Sequence, residues 1–79
     1  MVSFPEGTRV NVFMRYKDIP ECSGVAVYTF VGYTNLVKVK VDLGARVTEF
    51  VKRWWAEDNG YAHQGDFYAY FHEEYLEKM

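Results

Sequence analysis

The chain has 79 residues, 19% of them aromatic, and a formal charge of −2. That length suits one domain spanning residues 1–79, and the sequence pI near 5.6 argues against the strongly basic balance of a typical nucleic-acid binder. A single cysteine, Cys22, excludes an internal disulfide, and two histidines, His63 and His72, make a poor set of metal ligands.

The amino-terminal stretch MVSFPEGTRV lacks the basic start and long apolar run of a secretory signal. No apolar run approaches the roughly 20 residues that span a bilayer. A lone cysteine without a stapled framework suits a reducing compartment. A soluble, cytoplasmic protein without membrane contact is the expectation.

Phe4-Pro5-Glu6-Gly7 reads as a turn leading into a strand. From Arg9 to Tyr16, Val10, Val12, Met14 and Tyr16 alternate onto one face, as in a half-buried strand. Pro20 and Ser23-Gly24 break the pattern. Val25 to Val31 is apolar on both faces, which predicts a strand that is central or covered twice. After a turn at Gly32–Asn35, Leu36 to Asp42 gives the clearest alternation, with Val37, Val39 and Val41 inward and Lys38, Lys40 and Asp42 outward. Three strands with short connections read as an antiparallel meander.

Arg46 to Glu57 is rich in strand-favouring residues, but Val47, Phe50, Val51, Trp54 and Trp55 recur at helical spacing. The spacing predicts one helix that stops at Asn59-Gly60. Trp54 is expected buried and Trp55 partly exposed. For residues 66–76 two templates fit. Aromatic density favours a strand over Phe67–Phe71, and the good helix formers of EEYLEKM favour a helix. The strand followed by one helical turn is preferred, with Phe67 and Phe71 in the core and Tyr68 and Tyr70 on the far face. The expected fold is α+β: a small antiparallel sheet, a three-strand meander plus a fourth strand, packed on one α-helix in the order βββαβ.

The succession from Val37 to Phe71 is loosely similar to the middle of a β-grasp domain. Gly7–Val12 followed by Ser23–Tyr28 loosely resembles the opening of an SH3-like barrel. Each covers only part of the chain and the two compete, so no family follows.

Signatures of phosphate loops, dinucleotide sites, zinc proteases and serine hydrolases are absent. Nothing places Cys22 beside a histidine, and a free cysteine is usually a small apolar residue. His72-Glu73-Glu74 offers too few ligands for a metal, and neighbouring carboxylates such as Glu57-Asp58 or Glu73-Glu74 usually form a solvated edge. No catalytic residue, metal or cofactor is assigned.

Charge is unevenly spread. Residues 1–53 hold eight basic and five acidic side chains, and residues 54–79 hold one basic and six acidic ones. Abundant tyrosine is typical of contact surfaces. The primary expectation is therefore a non-enzymatic protein-interaction module, a small inhibitor or regulator that engages a basic partner such as a nucleic-acid-binding protein. Its surface would comprise Trp55, Tyr68, Tyr70, Glu73, Glu74 and Tyr75, and a homodimer is a further expectation. The alternative is a nucleic-acid-binding module that uses Lys38, Lys40, Arg46, Lys52 and Arg53, with tyrosines such as Tyr28, Tyr33, Tyr68 and Tyr70 stacking on bases.

Overall fold

The computed structural model describes residues 4–32, 35–43 and 47–79. It contains a six-stranded sheet whose neighbours all pair antiparallel. The strands are β1 (Arg9–Val12), β2 (Cys22–Phe30), β3 (Leu36–Val41), β4 (Gly60–His63), β5 (Asp66–His72) and β6 (Leu76–Lys78). They lie side by side in the order β4-β5-β3-β2-β1-β6. Between β3 and β4 runs a short helix, π-wound over Phe50–Trp55 and α-wound over Ala56–Asn59, and a 3-10 turn at Glu73–Tyr75 precedes β6.

The βββαβ order expected from the sequence is therefore corrected. The meander and the helix are present, but two further strands frame the sheet. Strand β4 follows the helix directly and joins β5 through Gln64-Gly65, both with positive φ (50° and 83°). Two such residues make the mirror-image turn whose twist suits a hairpin. The one helical turn expected after β5 is present at Glu73–Tyr75, but the chain then extends and pairs with β1, with Leu76 opposite Val12. Helix propensity is worth only tenths of a kcal/mol per residue, and a ladder along an open edge of β1 outweighs it.

One face of the sheet carries the core. Val10, Val12, Val37, Val39, Ala69 and Phe71 are all fully buried, with Val41 nearly so. Their registers agree: Val37 faces Phe71, Val39 faces Ala69 and Val41 faces Phe67. Val51 of the helix is buried in this cluster, and Val47, Phe50 and Trp55 pack against it. The expectation for Trp54 is corrected, since it is 71% exposed, while Trp55 is partly exposed as expected and stacks on Phe71 with ring centroids 6.0 Å apart. The π-winding explains this. In an α-helix the residues three and four beyond Val51 flank it on either side. A wider turn needs more residues to come round, so Trp55 stays in line with Val51 and Trp54 swings away. The Trp55 indole N–H also donates to the Tyr70 carbonyl at 2.7 Å, just past the last β4–β5 pairing at Gly60 and Ala69.

Strand β2 shows how the other face is built. Gly24 lies so close to β3 that a Cβ would sit 2.3 Å from the Lys40 carbonyl oxygen. The register then shifts between Ala26 and Tyr28, which leaves Val27 as an extra residue. A bulge of one residue reverses which side chains point inward. Ala26 faces the core opposite Val39, but Tyr28 falls opposite Lys38 and Phe30 opposite Leu36, both on the outer face. Strand β2 is central, between β3 and β1, but its outer face is not covered: Tyr28 is 58% and Phe30 45% exposed.

Candidate functional site

The outer face of the sheet, away from the helix, holds the most distinctive surface of the described residues. Alternation along β5 sends Tyr68 and Tyr70 outward because Phe67, Ala69 and Phe71 fill the core. Alternation along β3 sends Lys38 and Lys40 outward between the buried valines, so Lys38 sits opposite Tyr70 and Lys40 opposite Tyr68. Strand β4 places Tyr61 opposite Tyr68. The bulge supplies Tyr28 and Phe30 from the other side.

These rings touch in sequence across four strands. Tyr28 and Phe30 are 4.7 Å apart between centroids, Phe30 and Tyr70 5.8 Å, Tyr70 and Tyr61 6.3 Å, and Tyr61 and Tyr68 5.3 Å. The result is one continuous platform of five rings. The Lys38 ammonium lies 4.9 Å from the Tyr68 ring centroid and 5.0 Å from that of Tyr61. Its pKa is raised above the usual lysine value, first by the Tyr61 side chain, against a smaller opposing effect of desolvation. The ring pairs and cation–π contacts link side chains of neighbouring strands across this exposed face.

The charges around it are mostly paired. Arg9 makes a two-pronged contact to Asp42 at 2.6 and 3.2 Å, and Lys40 lies 3.8 Å from Asp66. The remaining ion pair among the described residues is Arg15 with Glu21, so Lys38 alone on this face has no carboxylate within salt-bridge reach.

Residues singled out from the sequence are distributed as follows. Tyr68 and Tyr70 belong to the platform. Trp55 and Tyr75 lie behind it: their rings meet 6.5 Å apart, edge to face, over Phe71 and His72. Glu73 is tied to Asn35, its carboxylate accepting from the Asn35 side-chain amide at 2.8 Å and its N–H donating to the Asn35 carbonyl at 2.9 Å. Glu74 is exposed beside Tyr75 and Glu77, along a hollow of about 510 Å³ shared with the β1–β2 connection. The structure thus places Tyr68 and Tyr70 apart from Glu74, which stays beside Tyr75. In the alternative set, Lys38 and Lys40 are platform residues, whereas Lys52 and Arg53 are exposed on the helix in the opposite layer. Arg46 and Tyr33 lie outside the described residues.

Tyr28, which the sequence offered only as a base-stacking ring, and Phe30 and Tyr61, which it assigned to neither surface, complete the platform. Tyr61 was hidden because a four-residue strand has too little pattern to read, and the other two because a bulge leaves no periodic trace. Cys22 is buried, and burial pushes its thiol up to about 12, so it is no nucleophile at neutral pH. No helix of the described residues is long and apolar enough to cross a membrane. The chain has no match among family models, curated proteins or solved structures.

Proposed function

We propose that this protein is a non-enzymatic protein-interaction module that engages its partner through the open face of its sheet. The observation that carries this reading is the continuous five-ring platform of Tyr28, Phe30, Tyr70, Tyr61 and Tyr68. Among the described residues the helix covers only the opposite face, so Tyr28, Phe30 and Tyr61 are exposed and Tyr68 and Tyr70 are partly exposed. Tyrosine and phenylalanine are enriched at protein interfaces because they bring large, rigid contact area at low entropic cost.

Rings interleaved with Lys38 and Lys40 also meet the first requirement of a single-strand nucleic-acid surface. The electrostatics favour a protein. Affinity for nucleic acid grows with the number of phosphates neutralised. On this face Arg9 is held by Asp42 and Lys40 faces Asp66, which leaves one uncompensated cation among the described residues.

The test is capture from nuclease-treated lysate by the tagged protein, compared with a variant carrying Tyr28→Ser, Phe30→Ser and Tyr61→Ser. A partner retained by the parent and lost by the variant, with Trp54→Ser as a control on the other layer, is the expected result. Equal capture by the platform variant, or bands that vanish on nuclease treatment, would refute the proposal.

A further inference from the structure

We infer that the platform accepts an acidic protein segment, with a carboxylate of the partner seated on Lys38 and the partner's apolar side chains laid on the surrounding rings. This rests on the reading of the open face as a protein interface and adds the chemistry of what it binds.

Lys38 sits among these rings. Across the sheet it has Tyr28 on one side and Tyr70 on the other. Its ammonium lies close to both the Tyr61 and Tyr68 rings. The charge is therefore at the centre of the platform, and no partner can cover the rings without covering Lys38. The neighbouring cations already have counter-charges: Arg9 has Asp42, which also accepts from the Ser23 hydroxyl at 3.3 Å, and Lys40 has Asp66. Lys38 has none. A neutral or cationic segment laid over it would strip its water and leave a charge unpaired, a cost of the kind that decides specificity. A carboxylate there turns that cost into a charge-assisted hydrogen bond shielded by a ring of aromatic side chains, the arrangement found at interface hot spots. The Lys38 ammonium already lies beside the Tyr61 and Tyr68 rings, so less rotamer freedom is lost on docking. A single uncompensated cation matches one carboxylate among apolar groups better than it matches the regular phosphates of a nucleic-acid strand.

The experiment follows backbone amide shifts of the ¹⁵N-labelled full chain during titration with three probes. These are a random copolymer of glutamate and tyrosine, a random copolymer of lysine and tyrosine, and oligothymidylate. Each titration is repeated with Lys38→Met, which keeps the apolar stem and removes the charge, and with Lys38→Gln as a second variant should the first disturb the fold. The glutamate copolymer is expected to move the amides of Tyr28, Lys38 and Tyr70, with affinity falling about tenfold or more in the variant, as losing one charged hydrogen bond requires. Undiminished binding by the variant, or preference for the lysine copolymer, overturns the assignment while leaving the face an interface. Preference for oligothymidylate overturns the protein reading as well. If no probe perturbs the face, the acidic-segment assignment fails, whatever the capture experiment shows.

Discussion

Glu21 offers the sharpest test of how the fold is held. Its side chain is 1% exposed, yet it is a carboxylate. It accepts from Arg15 Nε at 2.8 Å, from a terminal Arg15 nitrogen at 3.2 Å and from the Thr48 hydroxyl at 2.9 Å. Its backbone N–H donates to the Val12 carbonyl and its carbonyl accepts from the Thr48 N–H. One residue thus joins the β1–β2 connection to the approach to the helix. Glu21→Gln keeps the shape but turns an NH₂ group toward at least one donor. Charged hydrogen bonds contribute about 1.5–3 kcal/mol each, but Arg15 is 45% exposed and part of its contribution is screened by water. The expected loss is about 2 kcal/mol, against a total of roughly 4–12 kcal/mol for a chain of this size. In thermal unfolding this corresponds to a Tm lower by about 8–16 °C. Denaturant titration followed by tryptophan fluorescence should show a lower midpoint at unchanged slope. A change below about 0.5 kcal/mol, the size of an ordinary surface substitution, would refute the clasp.

The same residue sets a pH dependence. Hydrogen bonding to Arg15, then to Thr48, holds the Glu21 pKa below its ordinary value. On acidification the unfolded chain therefore takes up the proton first. The contribution is complete above the unfolded value, near about 4.3, and is lost as pH falls through the lower folded value. The stability gap between the parent and Glu21→Gln should close across that acid window and stay constant above pH 6.

Further expectations follow from the packing. Trp55→Ala should cost about 3 kcal/mol, whereas Trp54→Ala should stay within about 0.5 kcal/mol in the same denaturant assay. Equal costs would contradict the π-wound register. Gly24→Ala drives a methyl group against the Lys40 carbonyl and should cost about 1–3 kcal/mol or more, read as a fall in Tm. Cys22 should resist a thiol reagent at pH 8 in the folded protein and react at once in denaturant, and rapid labelling of the native chain would show that the thiol is not buried.

Much of the fold was written locally. The alternation of Val37, Val39 and Val41 against Lys38 and Lys40 is reproduced residue for residue in β3, and the aromatic run Phe67–Phe71 forms most of β5. The parts that escaped depend on partners distant in sequence. Glu73–Met79 has helical propensity, and only the exposed edge of β1 makes Leu76–Lys78 a strand. Gly60–His63 is too short to show a period, and Gln64-Gly65 disguises a hairpin turn that Asn-Gly would have announced. The Lys and Tyr sets that the sequence placed in rival hypotheses are cross-strand neighbours on one face, so substitutions at Lys38 and Lys40 cannot be treated as independent of Tyr68 and Tyr70.

The most direct test of the open face as the contact surface is hydroxyl-radical footprinting of the protein with and without its captured partner, read by mass spectrometry. Protection of Tyr28, Phe30 and Tyr61, with Trp54 oxidised equally in both states, is the predicted result. Protection of Trp54 with the platform unchanged would place the contact on the helix layer and contradict the account.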